Sequence, residues 1–320
     1  MAINKAHYSN YCFPWILNRA DPYVYRHFDG FYYFTASVPE YDRIILRRSK
    51  DLLSLTEADE HVIWRKHEHG LMSKHIWAPE IHYLDGKWYI YFAAGEREDI
   101  WNIRIFVLEC ENDPIDGLWI EKGKMQSADS DPFSFRSFSL DGTIFESNGK
   151  RYFVWAEKVS VGRQISNLYI AEMQSPFKLK TDQVLLTSPD YDWERVDYWV
   201  NEGPAVLKKN GNLYITYSAS STGANYCIGM LTASENSDLL DPASWKKSRY
   251  PVLKSIPEKK IFGPGHNCFT KTEDGKDLLI CHARQYEKIY GNPLYDPNRH
   301  AMIVEIEWAN DGYPVFDNFG

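Results

Sequence analysis

Asp85-Gly86-Lys87-Trp88-Tyr89-Ile90 joins a turn dipeptide to an aromatic and apolar run, and the chain writes this phrase five times. Asp-Gly or Asn-Gly supplies the positive φ of a tight hairpin turn, and the run that follows prefers a pleated strand. The other copies are Asp29-Gly30-Phe31-Tyr32-Tyr33-Phe34, Asn148-Gly149-Lys150-Arg151-Tyr152-Phe153, Asn210-Gly211-Asn212-Leu213-Tyr214-Ile215 and, more loosely, Asp274-Gly275-Lys276-Asp277-Leu278-Leu279. Successive glycines lie 56, 63, 62 and 64 residues apart.

A second marker keeps the same beat. Each turn is preceded by a strand-like segment: Ala20-Asp21-Pro22-Tyr23-Val24, Trp77-Ala78-Pro79-Glu80-Ile81, Leu140-Asp141-Gly142-Thr143-Ile144, Asn201-Glu202-Gly203-Pro204-Ala205 and Gly265-His266-Asn267-Cys268-Phe269. Their central polar residues, Asp21, Glu80, Asp141, Glu202 and His266, step by 59, 61, 61 and 64 residues. A unit of this length is too long for a leucine-rich or hexapeptide solenoid and somewhat longer than a typical propeller blade. The expectation is an all-β chain: a five-bladed β-propeller with about four antiparallel strands per blade, forming one domain over residues 1–320. The first strand of each blade then lines the central channel, so the five polar positions converge on one mouth.

Composition narrows the partners. A net charge of −8 without any basic run argues against nucleic acid. No stretch approaches eighteen consecutive apolar residues, which argues against a membrane-spanning helix. The five cysteines, Cys12, Cys110, Cys227, Cys268 and Cys281, are odd in number and lack metal-type spacing. With no apolar leader in the first twenty residues, they point to a reduced, cytoplasmic setting. Aromatic residues make up 15% of the chain, enough to pack blade interfaces and still offer rings to a sugar. No helical pattern stands out, and the irregular stretches 96–101, 127–138, 188–198 and 286–298 are placed to rim the mouth.

Four of the five convergent positions are carboxylates, and strands disfavour unpaired acids. Each alone has a plain structural reading. Asp21 before Pro22 starts turns, Asp141-Gly142 reads as a hairpin, and Glu202 beside Gly203-Pro204 reads as a solvated loop acid. The shared period weighs against all three.

In this ordered set the chain resembles glycoside hydrolase family 43, whose five-bladed propellers carry three acids on the inner strands of blades one, three and four. The matching segments are Arg19-Ala20-Asp21-Pro22, Ser139-Leu140-Asp141-Gly142-Thr143 and Asn201-Glu202-Gly203-Pro204, with Trp77-Ala78-Pro79-Glu80 similar to the family's Trp-Ala-Pro-acid signature. The exo-acting α-L-arabinofuranosidase branch is the nearest likeness. The resemblance implies an inverting glycosidase with Asp21 as general base, Glu202 as general acid and Asp141 as pKa modulator and orienter. An inverting site sets base and acid roughly 6.5–9.5 Å apart to admit water, and the acid must keep its proton near neutrality. Substrate-binding candidates are Trp77, Phe34, Ile144, Arg284 and His266; Arg284 is similar to the family arginine that donates to sugar hydroxyls. Glu80 is expected to be a supporting carboxylate paired with Arg97 or His75.

The resemblance implies no cofactor for the chemistry. It implies water, calcium or another cation on the propeller axis, held by His266 partly through water. The implied partner is a small arabino-oligosaccharide or other pentose-containing substrate, acted on by a single catalytic domain with no appended carbohydrate-binding module. Candidate pocket walls are 34–41, 96–101 and 190–199. Three rivals stand beside this reading. A β-D-xylosidase, or an enzyme taking both pentoses, uses the same acids. The retaining sucrose- and fructan-cleaving propellers carry Asn-Asp-Pro-Asn and Arg-Asp-Pro motifs absent here. A carbohydrate-binding propeller without turnover has no need of a protonated Glu opposite an ionised Asp.

Overall fold

The computed structural model describes residues 11–159, 165–317 and 319. The leader reading of the first ten residues lies outside them. Five antiparallel units follow one another along the chain, as the repeat predicts. Blade one holds Ala20–Arg26, Tyr32–Ser37, Arg43–Ser49 and His61–Arg65; blade two holds Lys74–Leu84, Lys87–Gly95, Arg104–Cys110 and Ile120–Lys124. Blade three is built from Ser139–Ser147, Lys150–Val159, Ile165–Ser175 and Val184–Thr187, and blade four from Trp199–Lys209, Asn212–Ala219, Cys227–Ser234 and Lys246–Lys247. Blade five takes Phe262–Lys271, Asp277–Arg284 and His300–Glu305 from the C-terminal end of the chain.

The fourth strand of blade five comes from the other end. Tyr11–Cys12 pairs antiparallel with Ile303 and Val304, so the first strand of the chain completes its last blade. Nothing in the repeat announced this, because a two-residue strand carries no periodic signal. The inner strands pack successively and the fifth against the first, which closes the ring. Helical structure among the described residues is limited to short 3-10 turns.

The turn dipeptides behave as their chemistry requires. In blades two, three and four both residues have positive φ: 52° and 83° at Asp85-Gly86, 49° and 73° at Asn148-Gly149, 51° and 76° at Asn210-Gly211. Blades one and five differ, since only Gly30 and Gly275 of their pairs are left-handed. Their turns are wider loops, closed by His27 N–H to Phe31 C=O and by Thr272 N–H to Lys276 C=O.

Apolar residues of successive blades merge into five cores. Trp15, Phe34, Cys268 and Ile303 fill the seam between blades five and one; Tyr91, Val107, Phe153 and Trp155 fill that between two and three. Trp155 is fully buried, stacks near Phe153 and Tyr169, and donates its indole N–H to Glu157 at 3.0 Å. Trp155→Ala is expected to cost about 3–5 kcal/mol, read as a lowered midpoint in chemical denaturation followed by tryptophan fluorescence and circular dichroism.

Candidate active site

Each inner strand carries an extra residue near its start. The register slips by one between Ala20 and Tyr23, Trp77 and Glu80, Leu140 and Thr143, Glu202 and Ala205, and Gly265 and Cys268. The residue just inside each bulge adopts positive φ: Asp21 (51°), Ala78 (44°), Asp141 (55°), Gly203 (54°) and His266 (45°). Such bulges re-aim side chains beside functional sites. Asp tolerates the left-handed region better than most residues and Gly203 adopts it freely, while the strain at Ala78 and His266 is of order 1–3 kcal/mol per residue.

The bulges correct the equivalence read from the sequence. Glu202 stands one residue before the left-handed position and matches Leu140 and Trp77; Glu80 stands two residues after it. The period was right to within a residue or two, but in a strand a single residue changes the face. Two successive positions per strand therefore feed one cavity: Trp77, Leu140 and Glu202 from the paired position, Asp21, Ala78, Asp141 and His266 from the bulge. Glu80 is buried deeper and pairs with His82 Nε2 at 3.1 Å, not with Arg97 or His75.

A clasp between neighbouring blades holds this geometry. The amide freed by a bulge donates to a buried side chain of the preceding blade: Ala78 N–H to Ser37 Oγ (2.7 Å), Gly203 N–H to Asp141 Oδ2 (2.9 Å), His266 N–H to Ser218 Oγ (2.6 Å) and Asp21 N–H to His282 Nδ1 (3.0 Å). Ser37 also donates to Asp21 Oδ2 at 2.6 Å. The other oxygen, Oδ1, stands 3.4–3.5 Å from Arg299 Nη1, His282 Nδ1 and His266 Nδ1.

These neighbours split the carboxyl groups electrically. Burial opposes charge on Asp21, but the fields of Arg299 and His266 hold its carboxyl well below the usual range. Burial, then the hydrogen bond from Tyr226 against it and the charge of Asp21 with it, leaves Glu202 raised to about 7. Asp141 is pushed well above its ordinary value by burial and by the charges of Glu202 and Asp21. Asp141 was expected to stand charged beside Glu202 as the source of its shift. Instead Asp141 and the half-buried Glu202 share the preference for a proton, and Asp21 is the anion that acts on both. Burial lowers His282 to about 3, so its ring is neutral.

The cavity measures about 170 Å³ and is completed by Trp101, Phe138, Thr222, Tyr226, Leu294 and Arg299. This is well under the ~300–1,000 Å³ of drug-sized pockets and is the scale of a single sugar ring. Trp101, Phe138 and Leu294 come from three of the irregular stretches expected at the mouth; none of the lining comes from residues 188–199. Trp77 lines the cavity with its ring stacked on His75 at 4.4 Å.

Three expected substrate contacts lie elsewhere. Phe34 is fully buried beside Trp15 in the seam of blades five and one, because it continues the aromatic strand of blade one. Ile144 packs with the core between blades two and three. Arg284 is buried and spends its guanidinium on Asp296, Thr222 C=O and Pro293 C=O, which anchors the loop before His300. The arginine of the cavity is Arg299, fixed by Tyr41 Oη at 2.6 Å. It precedes the third strand of blade five and has no counterpart in the repeat, so only its place at the end of an irregular stretch hinted at it. Tyr226 was missed for the same reason; His282 was missed although it holds the second-strand position of Ser37 and Ser218 and lies in the Cys281-His282-Ala283-Arg284 run that drew attention to its neighbour.

As a metal site the arrangement is poor. His266 Nδ1 faces Asp21 Oδ1 and Asp141 Oδ2 at 3.5 and 3.8 Å, and no group of three or more His, Cys, Asp or Glu side chains among the described residues is set to hold an ion. The residues do not form a cation cage, and no chemical step is assigned to one.

One ionised carboxyl and one protonated carboxyl facing a cavity for one ring define a general acid–base site on a propeller. The chain belongs to glycosyl hydrolases family 43, whose model matches residues 15–314. It is 50% identical over 305 residues to an extracellular exo-α-(1→5)-L-arabinofuranosidase of Streptomyces avermitilis, covering 95% of this chain and 62% of that protein. A protein of the same name from Streptomyces chartreusis is 51% identical, with 88% of this chain and 84% of the relative covered. This chain thus spans less than two thirds of the Streptomyces avermitilis protein's length. The crystal structure of an α-L-arabinofuranosidase from Lactobacillus brevis superposes with a TM-score of 0.91 at 50% identity, covering 98% of each chain. The cytoplasmic setting expected from cysteines and leader is overturned: both Streptomyces relatives are named extracellular, although all five cysteines here are free.

Because folding raises Glu202 from 4.5 to about 7, the folded chain keeps a proton that the unfolded chain releases. Its contribution favours folding in acid and is lost as pH rises from about 4.5 through 7. Glu202→Gln is therefore expected to match wild type in stability near pH 4 and to exceed it at pH 8, by on the order of 3 kcal/mol, in urea titrations at the two pH values.

Proposed function

We propose that the chain is an inverting, exo-acting α-L-arabinofuranosidase that releases terminal α-L-arabinofuranose from short α-1,5-linked arabino-oligosaccharides, with the propeller as its single catalytic domain. The observation that carries this reading is that Asp21 and Glu202 face one small cavity with opposite surroundings: Arg299 and Ser37 beside Asp21 favour its charge, while desolvation and the charge of Asp21 keep a proton on Glu202 against the hydrogen bond from Tyr226. The printed names of the relatives supply the sugar and the linkage.

In the proposed reaction Asp21 takes a proton from a water near Oδ1, the oxygen not tied to Ser37. That water attacks the anomeric carbon as Glu202 gives its proton to the leaving oxygen, through an oxocarbenium-like transition state. Asp141, bonded to the amide beside Glu202, fixes the acid's strand and presents its remaining oxygen to the sugar. The ring of Trp77 offers an apolar face, and Arg299 counters the charge of Asp21. A cavity sized for one ring favours attack at a chain end over attack within a chain. The chemistry is proposed to run on side chains alone.

Three measurements test the reading. Turnover of p-nitrophenyl α-L-arabinofuranoside should exceed that of the β-D-xyloside, and proton NMR should show the inverted β-anomer as first product; a reversed preference would point to a xylosidase, and no turnover of either to a binding propeller. Asp21→Ala and Glu202→Ala should each lower kcat by about 10²–10⁴ with circular dichroism unchanged, and full activity in either removes the assigned mechanism. Exhaustive chelation should leave kcat unchanged.

A further inference from the structure

The Gly263-Pro264-Gly265 run ahead of His266 does more than bring backbone close to the axis. A Cβ on Gly265 would lie 2.2 Å from two ring carbons of Tyr226, and one on Gly263 would lie 2.2 Å from Gly223 C=O. The run is a slot for the tyrosine. Its ring is buried and lies parallel to His282, with centroids 5.8 Å apart and planes 9° apart. His282 is itself pinned by the amide of Asp21. From this slot Tyr226 Oη donates to Glu202 Oε1 at 2.8 Å.

Building on the function proposed above, we propose that Tyr226 is the positioning residue of the general acid: it occupies Oε1 of Glu202, so that the transferable proton sits on Oε2 and faces the leaving oxygen. A carboxylic acid carries its proton on one oxygen, and an oxygen that already accepts a hydrogen bond from a phenol is the poorer place for it. In the transfer the Oε2–H bond breaks and its electron pair stays on Glu202, while a new O–H bond forms on the departing alcohol. The carboxylate left behind is then held by a charge-assisted hydrogen bond from Tyr226, stronger than the one to the neutral acid. An interaction that strengthens as the proton leaves lowers the barrier to chemistry and does little for substrate binding. The stacked His282 ties the two halves of the site, since one ring touches the amide of the base and the other the carboxyl of the acid.

Tyr226→Phe keeps the ring in its slot and removes only the hydroxyl. On α-1,5-arabinobiose, whose leaving alcohol needs a proton, kcat is expected to fall about 10–100-fold with KM nearly unchanged. On 2,4-dinitrophenyl α-L-arabinofuranoside, whose leaving group departs unprotonated, the loss should be much smaller. Because the hydroxyl favours the ionised form of Glu202, the alkaline limb of the kcat/KM profile should move to higher pH. Gly265→Ala, which pushes the ring aside, should show the same shift. An unmoved limb with equal losses on both substrates would mean that Tyr226 only packs, and would overturn the proposal. Wild-type protein that cleaves neither substrate would instead sink the arabinofuranosidase reading itself, and this inference with it.

Discussion

Everything at the mouth of this propeller depends on an amide released from the sheet by a bulge and caught by the neighbouring blade. A bulge at the start of an inner strand leaves one N–H without its ladder partner, and a buried N–H left alone is costly. Ser37, Asp141, Ser218 and His282 remove that cost at four of the five seams. The same contacts lock adjacent blades and hold the left-handed backbone that turns Asp21 and His266 into the cavity. Fold closure and site geometry are thus one set of hydrogen bonds. Asp141 belongs to both, as a cavity carboxyl and as the acceptor that fixes the strand of Glu202.

Electrostatics then distinguish acids that the backbone treats alike. Asp21 and Asp141 are buried and Glu202 is half-buried, and desolvation alone would keep all three neutral. Only Asp21 has cationic and hydrogen-bonding partners enough to overcome it, in Arg299, His266 and Ser37. Its charge in turn helps to hold the other two protonated. One carboxyl is held charged and two are held protonated because Asp21 lies beside blade five, where Arg299 and His266 sit.

Much of this was readable from sequence because a closed repeat has to say the same thing five times. The Asp-Gly and Asn-Gly turns located the hairpins, the aromatic runs located the second strands, and the shared spacing marked five polar positions, from which the family resemblance singled out Asp21, Asp141 and Glu202. Register was not readable at the level of one residue. Glu80 was aligned with the acids and Glu202 was given the wrong slot, since spacing between markers does not reveal where a strand inserts an extra residue. The substrate candidates failed where a single residue carried the reading. Phe34, Ile144 and Arg284 are ordinary strand or anchor residues, and Arg299 and Tyr226 line the cavity in their place.

Sequence alone determined the number of blades and the hairpin of each blade, because turn chemistry and strand preference act over a few residues and repeat along the chain. Tertiary structure alone decided that Tyr11–Cys12 closes blade five, which face each acid presents, which acid is charged, and which arginine enters the cavity. Those properties arise between residues that are far apart in the chain, where burial, bulge geometry and the approach of a neighbouring blade set the energy and no local pattern records it.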